Sequence, residues 1–409
     1  MKFALLIALA AGAVQAAPLP PAPGLLPTAM VRPLLDQDTE VAAARAGREM
    51  LRQDAALAQD SPYEWTAKVT AQRRTVEAGP QYKEWNAGVE RTLRLPAKAS
   101  ADRRIGQALL DEGEARYGEA LHETARELLG LWLDWAHAEQ ALVLAAEHQQ
   151  AASDNLAAVN KRVKAGDAAV LDASLARGDL ADQQRVSIEA KTAAAVAWAR
   201  LHARFPGFQR ELSTLPSSLP LAESPTFWRE RILAQSDELK ITEAQLLKAQ
   251  GLSARMRAER TPDPTVGLYT ASEVGGRERI TGVMFSIPLP GAHRAARDGR
   301  AVQAMEVSQH EVALKRRALD GAIAVSLASA QGAHESWQVA EAGAADMRDN
   351  ARLLQRAYTL GEADLPTLLT ARRQATTAQQ NALAARVAAA RAYYGILVDA
   401  HVVWDMDHE

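Results

Sequence analysis

Apolar and polar residues alternate with a period of two in four short stretches of this chain, and follow a helical period through most of the rest. In the first stretch Tyr63, Trp65, Ala67, Val69 and Ala71 alternate with Glu64, Thr66, Lys68, Thr70 and Gln72. After the turn-rich Glu77-Ala78-Gly79-Pro80, Trp85, Ala87, Val89, Leu93 and Leu95 alternate with Asn86, Gly88, Glu90, Thr92 and Arg94, and Arg91 is the polar intrusion on the apolar face. This pattern predicts strands over 63–72 and 85–95, each with one apolar side. A second pair is predicted over 265–272 and 280–289 around Gly275-Gly276, with Val283, Phe285, Ile287 and Leu289 on one face. Strands of about ten residues match a tilted membrane-spanning strand.

Helical periodicity predicts shorter helices over 36–60 and 225–260, the latter stopped by Pro262-Asp263-Pro264 because proline cannot continue the ladder and restricts its predecessor. Two proline-free stretches, 97–165 and 291–360, predict helices on the order of 100 Å long at 1.5 Å per residue. Each is followed by a glycine, Gly166 or Gly361, and then by a second helix ending near Phe205 or Val403. Glycine just past a helix end is the expected C-terminal cap, so these are helical hairpins with tips at KAGD and TLGE.

The four strands and two hairpins are one unit written twice. GVERTLRLPA at 88–97 lies over GVMFSIPLPG at 282–291 at an offset of 194, and 155–177 lies over 350–372 at an offset of 195, with Gly166 on Gly361. The predicted organisation is a first repeat over 36–207, a linker over 208–224, a second repeat over 225–403 and a tail over 404–409, preceded by a proline-rich leader over 17–35. Residues 1–16, with Lys2, the apolar run from Phe3 to Val14 and small residues at Val14 and Ala16, read as a secretory signal peptide.

Composition narrows the possibilities. No segment after the signal approaches the roughly 18 apolar residues of a spanning helix, so membrane insertion must use strands. The absence of cysteine excludes disulfides, thiolate metal sites and a lipoprotein cysteine. A formal charge of -3 and a pI near 6.3 argue against a nucleic-acid partner. Hydrophobic residues make up 48% of the chain and aromatics 5%, a balance that favours long, closely packed, alanine-rich helices.

Four strands cannot close a barrel, and an open edge in lipid leaves backbone groups unsatisfied. Several copies must pool their strands, three copies giving twelve, and cyclic symmetry would pool the hairpins into a tube.

With PDP at 262–264, IPLPG at 287–291 and a tip glycine followed by a Leu- and Ala-spaced helix in each half, the sequence resembles the TolC-like outer-membrane efflux protein family from about Leu34 to Val403. The stretch PDPTVGLYTASEVGGRERITGVMFSIPLPG is similar to the heavy-metal (cobalt, zinc, cadmium) branch. The resemblance implies a mainly α chain with membrane β, and a homotrimer forming a 12-stranded barrel in outer-membrane lipid above a periplasmic α-helical tunnel. It further implies docking at the tips onto a periplasmic adaptor coupled to an inner-membrane, proton-driven RND pump, and an entrance gate just after each tip glycine. Asp172 fits the acidic gate position of the first half, while Pro366, Thr367 and Thr370 occupy the matching region of the second. Asp167, Glu362 and Asp364 add negative charge near the tips, and an acidic ring would favour cations.

Other residues carry less. The nine histidines, His122, His137, His148, His202, His293, His310, His334, His401 and His408, show no zinc-site spacing and read as packing or surface residues. The tail HVVWDMDHE has donors for weak metal binding, but reads better as a solvated terminus. The apolar cluster Leu128, Leu129, Leu131, Trp132, Leu133 and Trp135 reads as helix packing near one end of the tunnel rather than a cofactor pocket. Trp65 and Trp85 fit an interfacial aromatic girdle or packing between barrel and tunnel. No catalytic, cofactor-binding or metal-ligand motif is found, so the expected role is a passive duct. A periplasmic helical scaffold is the alternative of another class.

Overall fold

A computed structural model describes residues 22–210, 215–404 and 406; the predicted signal peptide lies outside them. Each half opens with a pair of helices broken by a capping side chain. In the first half α1 (Thr28–Asp36) precedes α2 (Thr39–Gln59), whose N-cap Asp38 accepts hydrogen bonds from the Glu40 and Val41 N–H groups at 2.8 and 3.3 Å. In the second, α5 (Pro225–Gln235) precedes α6 (Asp237–Ala258), capped by Ser236 through the Leu239 N–H. The single helix predicted over 225–260 is therefore two. Ser236 takes an extended ψ of 106°, and its hydroxyl competes for the backbone as serine does at helix starts.

The proline-rich leader is corrected too. Residues 28–36 are helical despite Pro33, because Val31, Leu34 and Leu35 form an i, i+3, i+4 apolar face that is buried.

Next come β1 (Thr66–Thr75) and β2 (Gln81–Thr92) in the first half, and β3 (Thr265–Glu273) and β4 (Glu278–Ser286) in the second. They form one antiparallel sheet in the order β1-β2-β3-β4, so the two halves meet between β2 and β3, where Val89 pairs with Leu268. The first hairpin lies a few residues from its expected place, β1 starting at Thr66 and β2 at Gln81.

The long helices are α3 (Pro96–Ala165) and α7 (Ala292–Leu360), and the return helices are α4 (Val170–Arg204) and α8 (Leu365–Asp399). Gly166 and Gly361 sit at φ 83° and 80°, a left-handed conformation that glycine adopts without a Cβ clash. Asp167 and Glu362 then bond back to the Arg162 and Ala357 carbonyls, closing the same C-terminal motif in both halves.

The main core lies midway along α3, not near one end of the tunnel as the sequence led us to expect. Trp132 and Trp135 are fully buried there against Leu34, Leu35, Phe205, Phe208, Leu215 and Trp228. The segments read as leader, linker and tail all converge on this belt. Phe208 packs edge-on to Trp135 at 5.9 Å, Tyr394 donates its hydroxyl proton to the Pro23 carbonyl at 2.8 Å, and the Trp404 indole donates to the Leu26 carbonyl at 2.8 Å. Trp404 and Met406 are each 2% exposed, so the start of the tail is core rather than a solvated end. Residues 405 and 407–409, with His408, lie outside the described residues.

Candidate functional site

Three regions carry the functional expectations, and the first is the sheet. On one face Ala67, Val89, Leu268 and Val283 share a cross-strand row. Around this row the face is apolar and open, with Val69 77% exposed, Val283 76% and Phe285 65%, and toward the hairpin turns it becomes polar through Arg73, Lys83, Thr270, Thr281, Ser272 and Arg279. The opposite face carries Lys68, Thr70, Asn86, Glu90 and Tyr269, with Lys68 bridging to Glu90 at 2.5 Å. Tyr269 sits between Gly88 and Gly282, and its ring lies where a Cβ on Gly282 would come within 2.6–2.7 Å of it. The duplicated glycine thus makes room for one tyrosine on the polar face. Arg91, the intrusion, is tied at the rim: its Nε donates to the Tyr63 carbonyl at 3.1 Å and its guanidinium lies 5.6 Å from the Trp65 ring centre. Trp65 and Trp85 are 66% and 44% exposed at this sheet.

Where strands meet helices, the PDP motif does more than stop α6. Asp263 accepts from the Tyr63 hydroxyl at 2.7 Å, the Leu95 N–H at 3.0 Å and Lys98 Nζ at 3.0 Å. Lys98 is 1% exposed and also faces Glu259, which binds Arg255 and Arg294; Asp102 pairs with Arg94 and Arg255. Burial would raise the Asp263 and Glu259 carboxyls, but the hydrogen bonds and cations around them outweigh it and hold both below the usual carboxylate range. Burial and the bond to Asp263 push the Tyr63 hydroxyl up to about 12. Arg94 further donates to the Ala58, Gln59 and Asp60 carbonyls, and Arg294 to that of Glu259, so an arginine caps the strand-side end of the preceding helix in each half. This network joins the halves at the base of the sheet. The sequence displayed its parts as PDP and RLP without showing that they touch.

The third region is the pair of tips. Asp172, in the first turn of α4, is half-buried, whereas Asp167, Glu362, Asp364, Thr367 and Thr370 are exposed. The hairpins pack side by side through Val159, Ala173, Ala176, Tyr358, Leu365, Leu368 and Leu369, which brings the first turns of α4 and α8 together. Asp364 is a helix cap: it accepts from the Thr367 N–H at 2.8 Å, and hydrogen bonding to Thr367 lowers its carboxyl below the ordinary value. Ala169, its counterpart, offers no such cap. Thr370 Oγ1 donates to the Pro366 carbonyl at 2.8 Å. Val170 and Leu171 stand 73% and 66% exposed beside Asp172.

Along α7, Val325, Val339, Leu353 and Leu360 recur at multiples of seven residues and are each at least 60% exposed. Gly332 and Asp346 fill the intervening positions of the same row, so this is an open apolar stripe interrupted twice.

Sequence reading missed one cluster altogether. Glu119, His122 and Glu123 come together on α3, each offering one ligand atom within 4.8 Å of the others. The signal present was the E-x-x-H-E spacing, which places all three on one helical face. Burial pushes the Glu119 carboxyl up to about 7; His122 opposes the shift, while Glu238, Glu123 and Asp237 add to it.

Among the described residues the sheet has two unpaired edges and an open face, and it is carried on paired helical hairpins with long arms of 70 and 69 residues, the protomer fold shared by solved outer-membrane channels. Known structures of that kind superpose on nearly the whole chain. CusC, whose crystal structures concern folding and transmembrane channel formation, aligns with a TM-score of 0.74 at 18% identity over 91% of each chain. The Campylobacter jejuni CmeC outer-membrane channel aligns at 0.74 and 14% identity over 93% of this chain and 86% of its own. The open state of the Neisseria gonorrhoeae MtrE outer-membrane channel aligns at 0.72 and 17% over 92% and 89%. No protein-family model and no curated protein sequence matches. The chain has the TolC-like channel fold. Among the described residues no helix is long and apolar enough to cross a membrane.

Proposed function

We propose that this chain is the outer-membrane duct of a tripartite efflux system, a passive homotrimeric channel without enzymatic activity. The observation that carries the reading is the sheet: an apolar face open to the surroundings, a polar face behind it and unpaired edges on β1 and β4. Copies that pool strands satisfy those edges and put the apolar face toward lipid. The exposed Val and Leu stripe of α7 supports the same assembly, since a second copy would cover it. Three copies give the 12-stranded barrel and a continuous helical tube whose tips meet a periplasmic adaptor and, through it, an RND pump. Fractionation and gel migration test this: outer-membrane recovery and a heat-resistant trimer are expected, and a soluble monomer would leave the periplasmic scaffold instead.

The cargo we propose is divalent heavy-metal cations, supported by the resemblance of residues 262–291 to the heavy-metal branch and by the carboxylates Asp167, Asp172, Glu362 and Asp364 at the tips, where Arg162 and Lys164 close the last turn of α3 beside the first. Asp172 would ring the entrance in three copies, with Asp167 and Glu362 outside it. Asp172→Asn is expected to lower single-channel cation selectivity; unchanged selectivity sinks the gate assignment. Deletion of the gene should sensitise cells to zinc, cobalt or cadmium. Sensitivity to hydrophobic drugs alone, or a defect in protein secretion, would assign the duct to drug efflux or type I secretion.

A further inference from the structure

Midway along α3 the fold gathers an ionisable cluster for which a passive duct has no use. Glu119, His122 and Glu123 each offer one ligand atom, and these atoms lie within 4.8 Å of one another. They line a cavity of about 210 Å³ together with Arg126 on α3, with Asp237 and Glu238 at the α5–α6 break and with Asp399 at the end of α8. Among the described residues neither Glu119 nor Glu123 forms a salt bridge with lysine or arginine, whereas Asp399 faces Arg126 and Glu238 faces Lys315.

Two further observations point to a cation. Asp237 is 3% exposed, and although its Oδ1 takes Lys240 Nζ at 2.9 Å, its Oδ2 has no hydrogen-bond partner. A carboxylate oxygen kept from water needs a positive or donating partner. His122 Nε2 lies 3.3 Å from Asp399 Oδ1. With the proton on Nε2, donated to that carboxylate, Nδ1 keeps its lone pair. A carboxylate behind the ring is the arrangement that orients metal-binding histidines.

We propose that this cavity binds one divalent first-row transition cation per chain, through the Glu119 and Glu123 carboxylates and the His122 imidazole, with the buried Asp237 carboxylate adding negative charge from the cavity wall. One imidazole among carboxylates suits zinc or cobalt(II) better than the all-oxygen sites of magnesium or calcium. The cation would fasten α3 to the α5–α6 break and to the end of α8. The proposal does not rest on the cargo, since the site belongs to the waist of the chain whatever the duct exports.

The test is calorimetric titration of the detergent-solubilised full chain with zinc chloride after chelator treatment, with X-ray absorption at the zinc edge. One zinc per chain with a single imidazole in its shell is expected. His122→Ala and the pair Glu119→Gln with Glu123→Gln should each weaken binding at least about tenfold, and Asp237→Asn should weaken it less. His408→Ala, in the tail, should change nothing. Melting in chelator guards against misfolding: the variants should melt no lower than the parent without metal and should lose only the zinc-induced rise. Absence of saturable binding, equal binding by the His122→Ala protein, loss of binding in the His408→Ala protein, or equal affinity for magnesium would each overturn the site.

Discussion

The two long helices are nearly equal in length, 70 and 69 residues, and begin and end alike, yet they live in different surroundings. α3 is buried from Lys98 to Val159, packed by α2, α4, α6 and α8, and carries the two tryptophans at the centre of the core. α7 buries Ile323, Ala330, Ala344 and Tyr358 and leaves its heptad row of Val and Leu in the open. Duplication supplied two copies of one helix, and the fold made one an axle and the other a flank. The difference teaches that a single chain satisfies only half of this architecture: among the described residues nothing covers the apolar surface on α7 or on the sheet.

Polar substitution along the flank should have the largest consequence. Val339→Asp with Leu353→Asp is expected to abolish the heat-resistant trimer while leaving the helical circular dichroism signal intact; a surviving trimer would remove α7 from the subunit seam. Truncating the axle acts on the chain itself. Trp132→Ala should cost about 3–5 kcal/mol of unfolding free energy, and Val339→Ala on α7 should cost well under 1 kcal/mol in the dissociated chain, a contrast that denaturant titration of both proteins reads directly.

The junction shared by the halves comes next. Asp263→Asn removes the nearer of the two carboxylates that pair with buried Lys98 and should cost on the order of 3 kcal/mol. Because the Asp263 and Glu259 carboxyls sit below their unfolded values, their stabilisation is complete above about pH 4–5 and is lost as the pH falls through the lower folded values. Acid unfolding of Asp263→Asn should therefore be shallower than that of the parent. Tyr63 has the opposite sign: its contribution holds below about pH 10, the value in the unfolded chain, and is lost as the pH rises toward about 12. A Tyr63→Phe protein whose alkaline melting curve matched the parent's would remove Tyr63 from the network.

The tips should show the smallest effects and the closest equivalence. Gly166→Ala and Gly361→Ala are each expected to cost about 1 kcal/mol, since alanine resists positive φ equally in both. Asp364→Ala should add a smaller loss in the second tip, whereas Ala169→Asp should gain stability in the first by supplying the missing cap. No loss in Asp364→Ala together with no gain in Ala169→Asp would erase the asymmetry between the tips.

Much of this arrangement could be read without coordinates. Long helical periods ending in glycine, paired alternating strands and a constant repeat offset are local signals, because each depends on residues a few positions apart. They gave the element order, the tip glycines and the strand pairs, and the open edges of four strands followed by counting. What escaped was contact across distance. The break at Ser236 rests on one hydroxyl; the helix over 28–36 exists because a distant core receives Val31 and Leu35; and the leader, linker and tail look like spacers until they meet at Trp132 and Trp135. Asp263, Lys98 and Glu259 are scattered through two halves and become a network only when β2 pairs with β3. The same holds for Glu119 and Asp237, brought to one cavity by the packing of α3 against α6. The sequence by itself determined the repeated elements, since periodicity and caps are written within a few turns of chain. Only the tertiary structure decided which copy is buried, which charges share a site and which faces remain open, because burial and pairing belong to residues more than a hundred positions apart.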